Sequence, residues 1–347
     1  MTNPPDRLTI LIASPLEAHH VERIRRFRPE RFEVLYEEQL LPRPRYVADH
    51  SGDRLDLTPA QRQRWAGLLS RADILFDFDL NDPAGLPSRA RRLKWVQATS
   101  AGIGEFLART GLSKSGIIFT TAAGVHARSL AEFAMLGLLY FFRGMPHLAE
   151  IKAARHWQRY TVRGLEGARL LVVGLGSVGR EVARQAAFSG VEVSGMRRHV
   201  GSELPEGVSR LVGKDGLREA LAACDALVLS CPLTDETKGM IGAAEIGAFK
   251  TGMVLVNIAR GGVIDETEMI AALRDGRIAG AALDVFATEP LPADNPLWGL
   301  PNVIISPHSA STVAAENGRI VDIFLDNLQR FEAGMPMRNR YEAGRGY

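Results

Sequence analysis

One stretch constrains this chain more than any other: Leu171-Val172-Val173-Gly174-Leu175-Gly176-Ser177-Val178-Gly179. An apolar run leads into glycines at the spacing G-x-G-x-x-G, and Glu181 to Phe188 then reads as a helix. Gly174 permits a tight turn, Gly176 lets the backbone approach a pyrophosphate, and Gly179 lets the helix pack close to the strand. Phosphate oxygens would meet the backbone N–H groups and positive dipole end of that helix, where Ser177 and Val178 lie. The segment predicts a dinucleotide site in a strand–turn–helix unit.

The rest of the chain repeats the same alternation. Candidate strands are Leu8–Ala13, Asp73–Phe78, Trp95–Thr99 and Ile117–Thr121, then Arg169–Val173, Val191–Met196, Ala226–Cys231, Met253–Ala259, Gly280–Phe286 and Val303–Ser306. Continuous apolar runs, rather than strict alternation, characterise parallel strands covered on both faces. Helical patterns between them imply an α/β fold with right-handed crossovers. Ser129–Arg143 is expected to be a buried helix capped by Ser129, with Glu132 at capping-box spacing. Thr312–Phe331 reads as an amphipathic helix, with Ile320, Ile323, Phe324 and Leu328 on one face. Residues after Gly334 are expected to be poorly ordered.

A length of 347 residues suggests about two domains. The formal net charge of +2 gives no electrostatic case for nucleic acid or an anionic membrane. Short basic runs such as Arg89-Ala90-Arg91-Arg92 read as a solvated face. Cys224 and Cys231 form neither a disulfide framework nor a metal-ligand spacing, which suits a reducing compartment. The polar start, Met1 to Arg7, does not resemble a signal peptide, and Leu130–Phe142 is shorter than a membrane span. A cytoplasmic protein with no metal is expected.

An NAD site usually has an acidic residue about 20 positions beyond the glycines, where it binds the ribose 2′-hydroxyl. Here the strand Val191–Met196 ends in Arg197-Arg198-His199. Arginines at that point suit the 2′-phosphate of NADP through charge-assisted hydrogen bonds. NADP(H) is therefore the preferred cofactor, with NAD(H) possible.

Three charged or polar residues follow strands that are otherwise apolar: Arg260 after Met253–Ala259, Glu289 after Gly280–Phe286, and His308 after Val303–Ser306. Ligands of open α/β sheets bind outside the carboxyl ends of the strands, so the three are expected to share one crevice. Their chemistry fits reduction of a keto acid. An arginine fork holds a carboxylate and polarises the adjacent carbonyl. A histidine gives the carbonyl oxygen its proton, and a carboxylate bound to that histidine orients the ring and favours its protonated form.

Gly174–Gly179, Cys231-Pro232-Leu233-Thr234 with Thr237, Asn257–Gly262, Asp284–Pro290 and Pro307-His308, in that order, resemble the D-isomer-specific 2-hydroxyacid dehydrogenase family. The resemblance runs from about Trp95 to Asn339. It implies that Arg260 binds substrate, Glu289 tunes the histidine, His308 donates the proton, and Asp284 holds the nicotinamide end. It also implies cofactor contacts from Cys231, Pro232, Thr237, Ile258, Ala259, Arg260 and His308, and a carboxylate-binding loop at Ser100, Ala101, Gly102 and Ile103. Gly104 departs from the Asp usual in the family, with Glu105 beside it. The implied architecture is two doubly wound parallel-sheet domains. A Rossmann coenzyme domain, 124–311, is inserted into a flavodoxin-like substrate domain, 1–123 and 312–347, with the active site in the cleft and a homodimer through the coenzyme domain.

Within the family, Glu289 opposes a formate dehydrogenase, while the arginines and the absence of a regulatory extension oppose a phosphoglycerate dehydrogenase. An NADPH-linked reductase of glyoxylate, hydroxypyruvate or a related 2-keto acid remains, with a nicotinamide-sensing corepressor or scaffold as the alternative. Elsewhere, His126 reads as a helix-entry or packing residue, Trp298 as core, with a wall of the substrate pocket as the alternative, and Cys231 as a small apolar neighbour rather than a reactive thiol. His19, His20, His50, His147, His156 and His199 have no ligand spacing.

Overall fold

The computed structural model describes residues 7–53, 55–198 and 203–342, and His199 lies outside them. The chain divides into two compact units, 1–126 with 312–347, and 127–311. Both are parallel α/β sheets, as the apolar runs predict.

In the first unit, strands β1 (Leu8–Ile12), β2 (Phe32–Leu35), β3 (Ile74–Phe76), β4 (Trp95–Gln97) and β5 (Ile118–Thr120) are ordered β2-β1-β3-β4-β5. This is the flavodoxin-like doubly wound order. β3 and β4 are buried throughout, as expected of strands covered by helices on both faces. The C-terminal helix Glu316–Glu332 belongs to this unit and sets Phe324 against Phe76 and Trp95, with ring centroids 5.2 Å apart in each pair.

In the second unit, β6 (Arg169–Val173), β7 (Glu192–Met196), β8 (Arg210–Val212), β9 (Ala226–Leu229), β10 (Met253–Asn257), β11 (Ile278–Leu283) and β12 (Val303–Ile305) are ordered β12-β11-β10-β9-β6-β7-β8. The order reverses between β6 and β9. That is the switch point at which such sheets bind dinucleotides, and the glycine turn leaves β6 there.

Several local expectations need correction. β2 and β8 were not anticipated, because both are short edge strands with one buried residue each and so lack a continuous apolar run. Ser129 is not a cap: the helix is Ala127–Phe142, Ser129 is buried inside it, and Glu132 bonds Arg128 instead. The glycine-loop helix begins at Ser177, directly after Gly176. The Arg89–Arg92 run is more than a solvated face. Arg89 pairs with buried Asp79 at 2.8 Å and Arg92 with buried Asp73 at 3.0 Å. Trp298 is 54% exposed rather than core, with its indole donating to the Pro292 carbonyl. Residues 335–342 are tied down: Asn327 bonds Arg338 on both sides, and Tyr341 N donates to Phe119 O.

Candidate functional site

The glycine turn is built as its spacing requires. Gly174 has φ +98°, and a Cβ there would lie 2.6 Å from the Cys231 backbone at the head of the β9 loop. A Cβ on Gly179 would lie 1.8 Å from the Gly174 carbonyl oxygen, whereas one on Gly176 would meet nothing within 4 Å. The first and third glycines therefore serve close packing, and the middle one leaves its backbone open on the side where a phosphate would approach. Cys231 is buried, and burial pushes its thiol up to about 11, consistent with an inert neighbour. After it, Pro232 O and Thr234 N both bond the Thr237 hydroxyl, which closes the turn.

At the end of β7, Arg197 and Arg198 stand where an NAD site would carry an acid. Arg197 Nη2 donates to Glu203 O, and its buried Nε has no partner among the described residues. Arg198 is engaged at the surface by Glu236, 2.7 Å away. A cavity between the glycine-loop helix and this segment is lined by Ser177, Arg180, Arg184 and Arg197, together with Glu181, Glu203 and Glu206. Sequence reasoning missed Arg180 and Arg184. They lie one and five residues beyond Gly179, and helical periodicity places them on one face. The open Gly176 backbone at the start of this helix fits the phosphates of a bound nicotinamide dinucleotide.

β10, β11 and β12 are neighbours in the sheet, so the segments carrying Arg260, Glu289 and His308 leave adjacent carboxyl ends. Glu289 Oε2 lies 2.8 Å from His308 Nδ1, and Glu289 Oε1 accepts from the Phe286 N–H at 3.0 Å. The carboxylate is thus fixed at one oxygen and holds the imidazole with the other, which leaves Nε2 for a further partner. The Arg260 loop is pressed against the same segment, since a Cβ on Gly261 would fall 1.9 Å from the Phe286 carbonyl carbon. Exposed Arg260 uses one guanidinium nitrogen on the Ala259 carbonyl. Ile258 and Ala259 are buried beneath it.

Asp284 has a role in this geometry that its place in the motif did not reveal. Its Oδ1 accepts from Ser306 Oγ at 2.6 Å and from the N–H groups of Ser309 and Ala310 at 2.9 Å each. It therefore clamps the chain on both sides of His308, which itself adopts a left-handed conformation at φ +54°. Burial is the largest influence on the Asp284 carboxyl and raises its pKa.

In the other unit, Ser100, Ala101, Gly102 and Ile103 lie in the loop after β4, with bends at Ser100 and Ala101. Ser100 O accepts from Ala122 N, and buried Ile103 precedes a helix whose first residue is Gly104, with Glu105 exposed in its first turn. His126 immediately precedes the helix Ala127–Phe142. Among the described residues no group of His, Cys, Asp or Glu could hold a metal ion, and no helix is long and apolar enough to cross a membrane.

The family model described as D-isomer specific 2-hydroxyacid dehydrogenase, NAD binding domain, matches residues 135–310, just over half of the chain. A D-3-phosphoglycerate dehydrogenase of Archaeoglobus fulgidus is 32% identical over 72% of this chain, which spans only 47% of that protein. A hydroxypyruvate reductase of Blautia hydrogenotrophica is 28% identical over 82% of this chain and 89% of its own length. Among solved structures, a D-isomer specific 2-hydroxyacid dehydrogenase of Xanthobacter autotrophicus Py2 in complex with NADPH and MES superposes with a TM-score of 0.79. It is 28% identical, with 99% of this chain and 100% of that one covered.

Proposed function

This chain belongs to the D-isomer-specific 2-hydroxyacid dehydrogenase family, and within it we propose a reductase of small 2-keto acids, of the glyoxylate or hydroxypyruvate type, that draws on NADPH. The observation that carries the reading is the Glu289–His308 pair, held beside the Arg260 loop at the ends of three adjacent strands. The bound nicotinamide supplies the hydride. Arg260 holds the substrate carboxylate. Glu289 accepts from Nδ1, which directs Nε2 of protonated His308 at the carbonyl oxygen, to which it gives its proton. Asp284 keeps the His308 segment in place through Ser306, Ser309 and Ala310.

The preference for NADPH rests on Arg197 and Arg198 at the end of β7, on the unpartnered Arg197 Nε, and on Arg180 and Arg184 beside the same cavity. A 2′-phosphate there replaces Glu236 as the partner of Arg198. A homodimer is part of the same proposal. Leu136, Leu139, Met145 and Leu148 are exposed on two consecutive helices of the second unit, and Trp157, just beyond them, is 98% exposed. We also place the enzyme in the cytoplasm.

Initial rates at 340 nm test the reading, with NADPH or NADH against glyoxylate, hydroxypyruvate, pyruvate and a bulkier 2-keto acid. Consumption of NADPH well above NADH is expected. Turnover with NADH alone would overturn the cofactor assignment, and turnover with no pair would overturn the reductase.

A further inference from the structure

Within the second unit, one ion pair joins two loops across the nucleotide end of the sheet. Arg198, two residues beyond β7, donates from Nε to Glu236 Oε2 at 2.8 Å, and its Nη2 lies 2.7 Å from the same oxygen. Glu236 belongs to the loop that follows β9, 38 residues further along the chain. β7 and β9 are not neighbours, since each pairs with β6, which lies between them. Paired strands are about 4.8 Å apart, so these two ends are separated by roughly 10 Å. A contact between them spans the carboxyl end of β6, where the Gly174–Gly179 turn begins.

Local backbone places both partners. Thr237, next to Glu236, closes its turn by donating to Pro232 O at 2.7 Å and accepting from Thr234 N at 2.8 Å. Lys238 N adds a bond to Thr234 O at 2.8 Å. On the other side, Arg197 is anchored through Nη2 to Glu203 O and lines a cavity of about 410 Å³ with Ser177 and Arg180 of the glycine-loop helix. The pair itself is exposed, with 53% of the Arg198 side chain and 61% of the Glu236 side chain open to solvent. Water and salt screen such a pair, so a stronger partner readily replaces either member. Both short contacts fall on Oε2, which leaves Oε1 outside the pair.

At this end of a dinucleotide site an acid serves a ribose 2′-hydroxyl, and a cation serves a 2′-phosphate. Arg198 and Glu236 bring one of each to the same point. We propose that Glu236 is a cofactor-specificity residue: it competes with the 2′-phosphate of NADP(H) for Arg198, and it accepts from the 2′-hydroxyl of NAD(H) in place of the acid that the end of β7 lacks. The inference rests on the NADPH reading above. A phosphate monoester carries a charge of about −1.5 to −2 and three acceptor oxygens, so it displaces a single carboxylate oxygen from the guanidinium. A hydroxyl does not displace it and instead donates to the carboxylate, where Oε1 is available. Parting the pair burdens only the phosphorylated cofactor, so Glu236 narrows the preference that the arginines create.

The test uses calorimetric titration with 2′,5′-ADP and 5′-AMP, two ligands that differ only in the 2′-phosphate and carry no nicotinamide. Its outcome is therefore independent of turnover and of the keto-acid substrate. In Glu236→Gln, 2′,5′-ADP is expected to bind about 3-fold tighter and 5′-AMP about 3-fold weaker than in wild type. In an Arg198→Leu background, Glu236→Gln is expected to leave 2′,5′-ADP affinity unchanged, because no guanidinium remains to compete for. An affinity ratio for the two ligands that is the same in Glu236→Gln as in wild type would overturn the specificity role. Equal tightening of 2′,5′-ADP with and without Arg198 would overturn the competition. Wild type that binds the two ligands equally would instead defeat the NADPH reading, and this inference with it.

Discussion

His308 is held by two acids that do different things. Glu289 touches the ring at Nδ1, while Asp284 never touches it and instead holds the segment around it through three bonds to one oxygen, two from backbone N–H groups and one from the Ser306 hydroxyl. A left-handed backbone at a non-glycine residue costs energy and persists only where neighbours over-determine it, and Asp284 supplies that constraint. Glu316 illustrates the opposite case, a buried acid without adequate partners. Its folded pKa of about 7 lies above the ordinary 4.5. Below pH 4.5 the folded and unfolded chains both keep this proton. Between 4.5 and 7 only the folded chain keeps it, so the Glu316 contribution falls as pH rises, and the whole penalty is present above 7. His126 works in the other direction: its folded pKa of about 4, below the ordinary 6.5, removes stability as pH falls from 6.5 to 4. Glu316→Gln cannot ionise. Its melting temperature is expected to exceed that of wild type by a few degrees at pH 8, with a smaller difference at pH 4; a pH-independent difference would contradict the burial argument. At this scale of unit, ~1 kcal/mol corresponds to about 2–4 °C.

At the scale of elements, the features most legible in the sequence were those whose signal is local. β9 and β10 are buried at every position, so each reads as an unbroken apolar run. The glycine turn is legible because Gly174 and Gly179 answer a steric demand within six residues of chain. Gly179→Ala drives a methyl into the Gly174 carbonyl, so it is expected to lower stability by about 1–3 kcal/mol and to weaken NADPH binding. Urea denaturation and a fluorescence titration would measure the two effects, and a variant matching wild type in both would contradict this packing. Edge strands β2 and β8 escaped notice because solvent replaces one neighbour, so apolar residues are not needed along their length. Glu289–Pro290 and Pro307-His308 could be read as motifs, but the clamp from Asp284 to Ser309 and Ala310 could not. Its acceptor and donors lie 25 and 26 residues apart and meet only through the pairing of β11 with β12. Arg198 and Glu236 lie 38 residues apart and meet across β6, so no spacing rule could have paired them.

At the scale of the whole molecule, two sheets of five and seven parallel strands carry the proposed chemistry on loops at strand ends. The strands are fixed by burial, and the loops are free to hold polar groups because they need not fill a core. Leu136, Leu139, Met145 and Leu148 are exposed on two consecutive helices, and the proposed dimer would cover them. Light scattering is expected to give about twice the chain mass of 37.9 kDa, with Leu136→Glu and Leu139→Glu together shifting it toward one chain; a monomeric wild type would contradict the dimer. The central claim is that His308, oriented by Glu289, gives the proton that completes reduction of a 2-keto acid. It is tested most directly by NADPH oxidation with glyoxylate in wild type and His308→Ala, alongside NADPH affinity of both. The account predicts turnover by wild type and a loss of at least ~10²-fold in kcat in the variant, with cofactor affinity little changed. Equal turnover by the two proteins would contradict it.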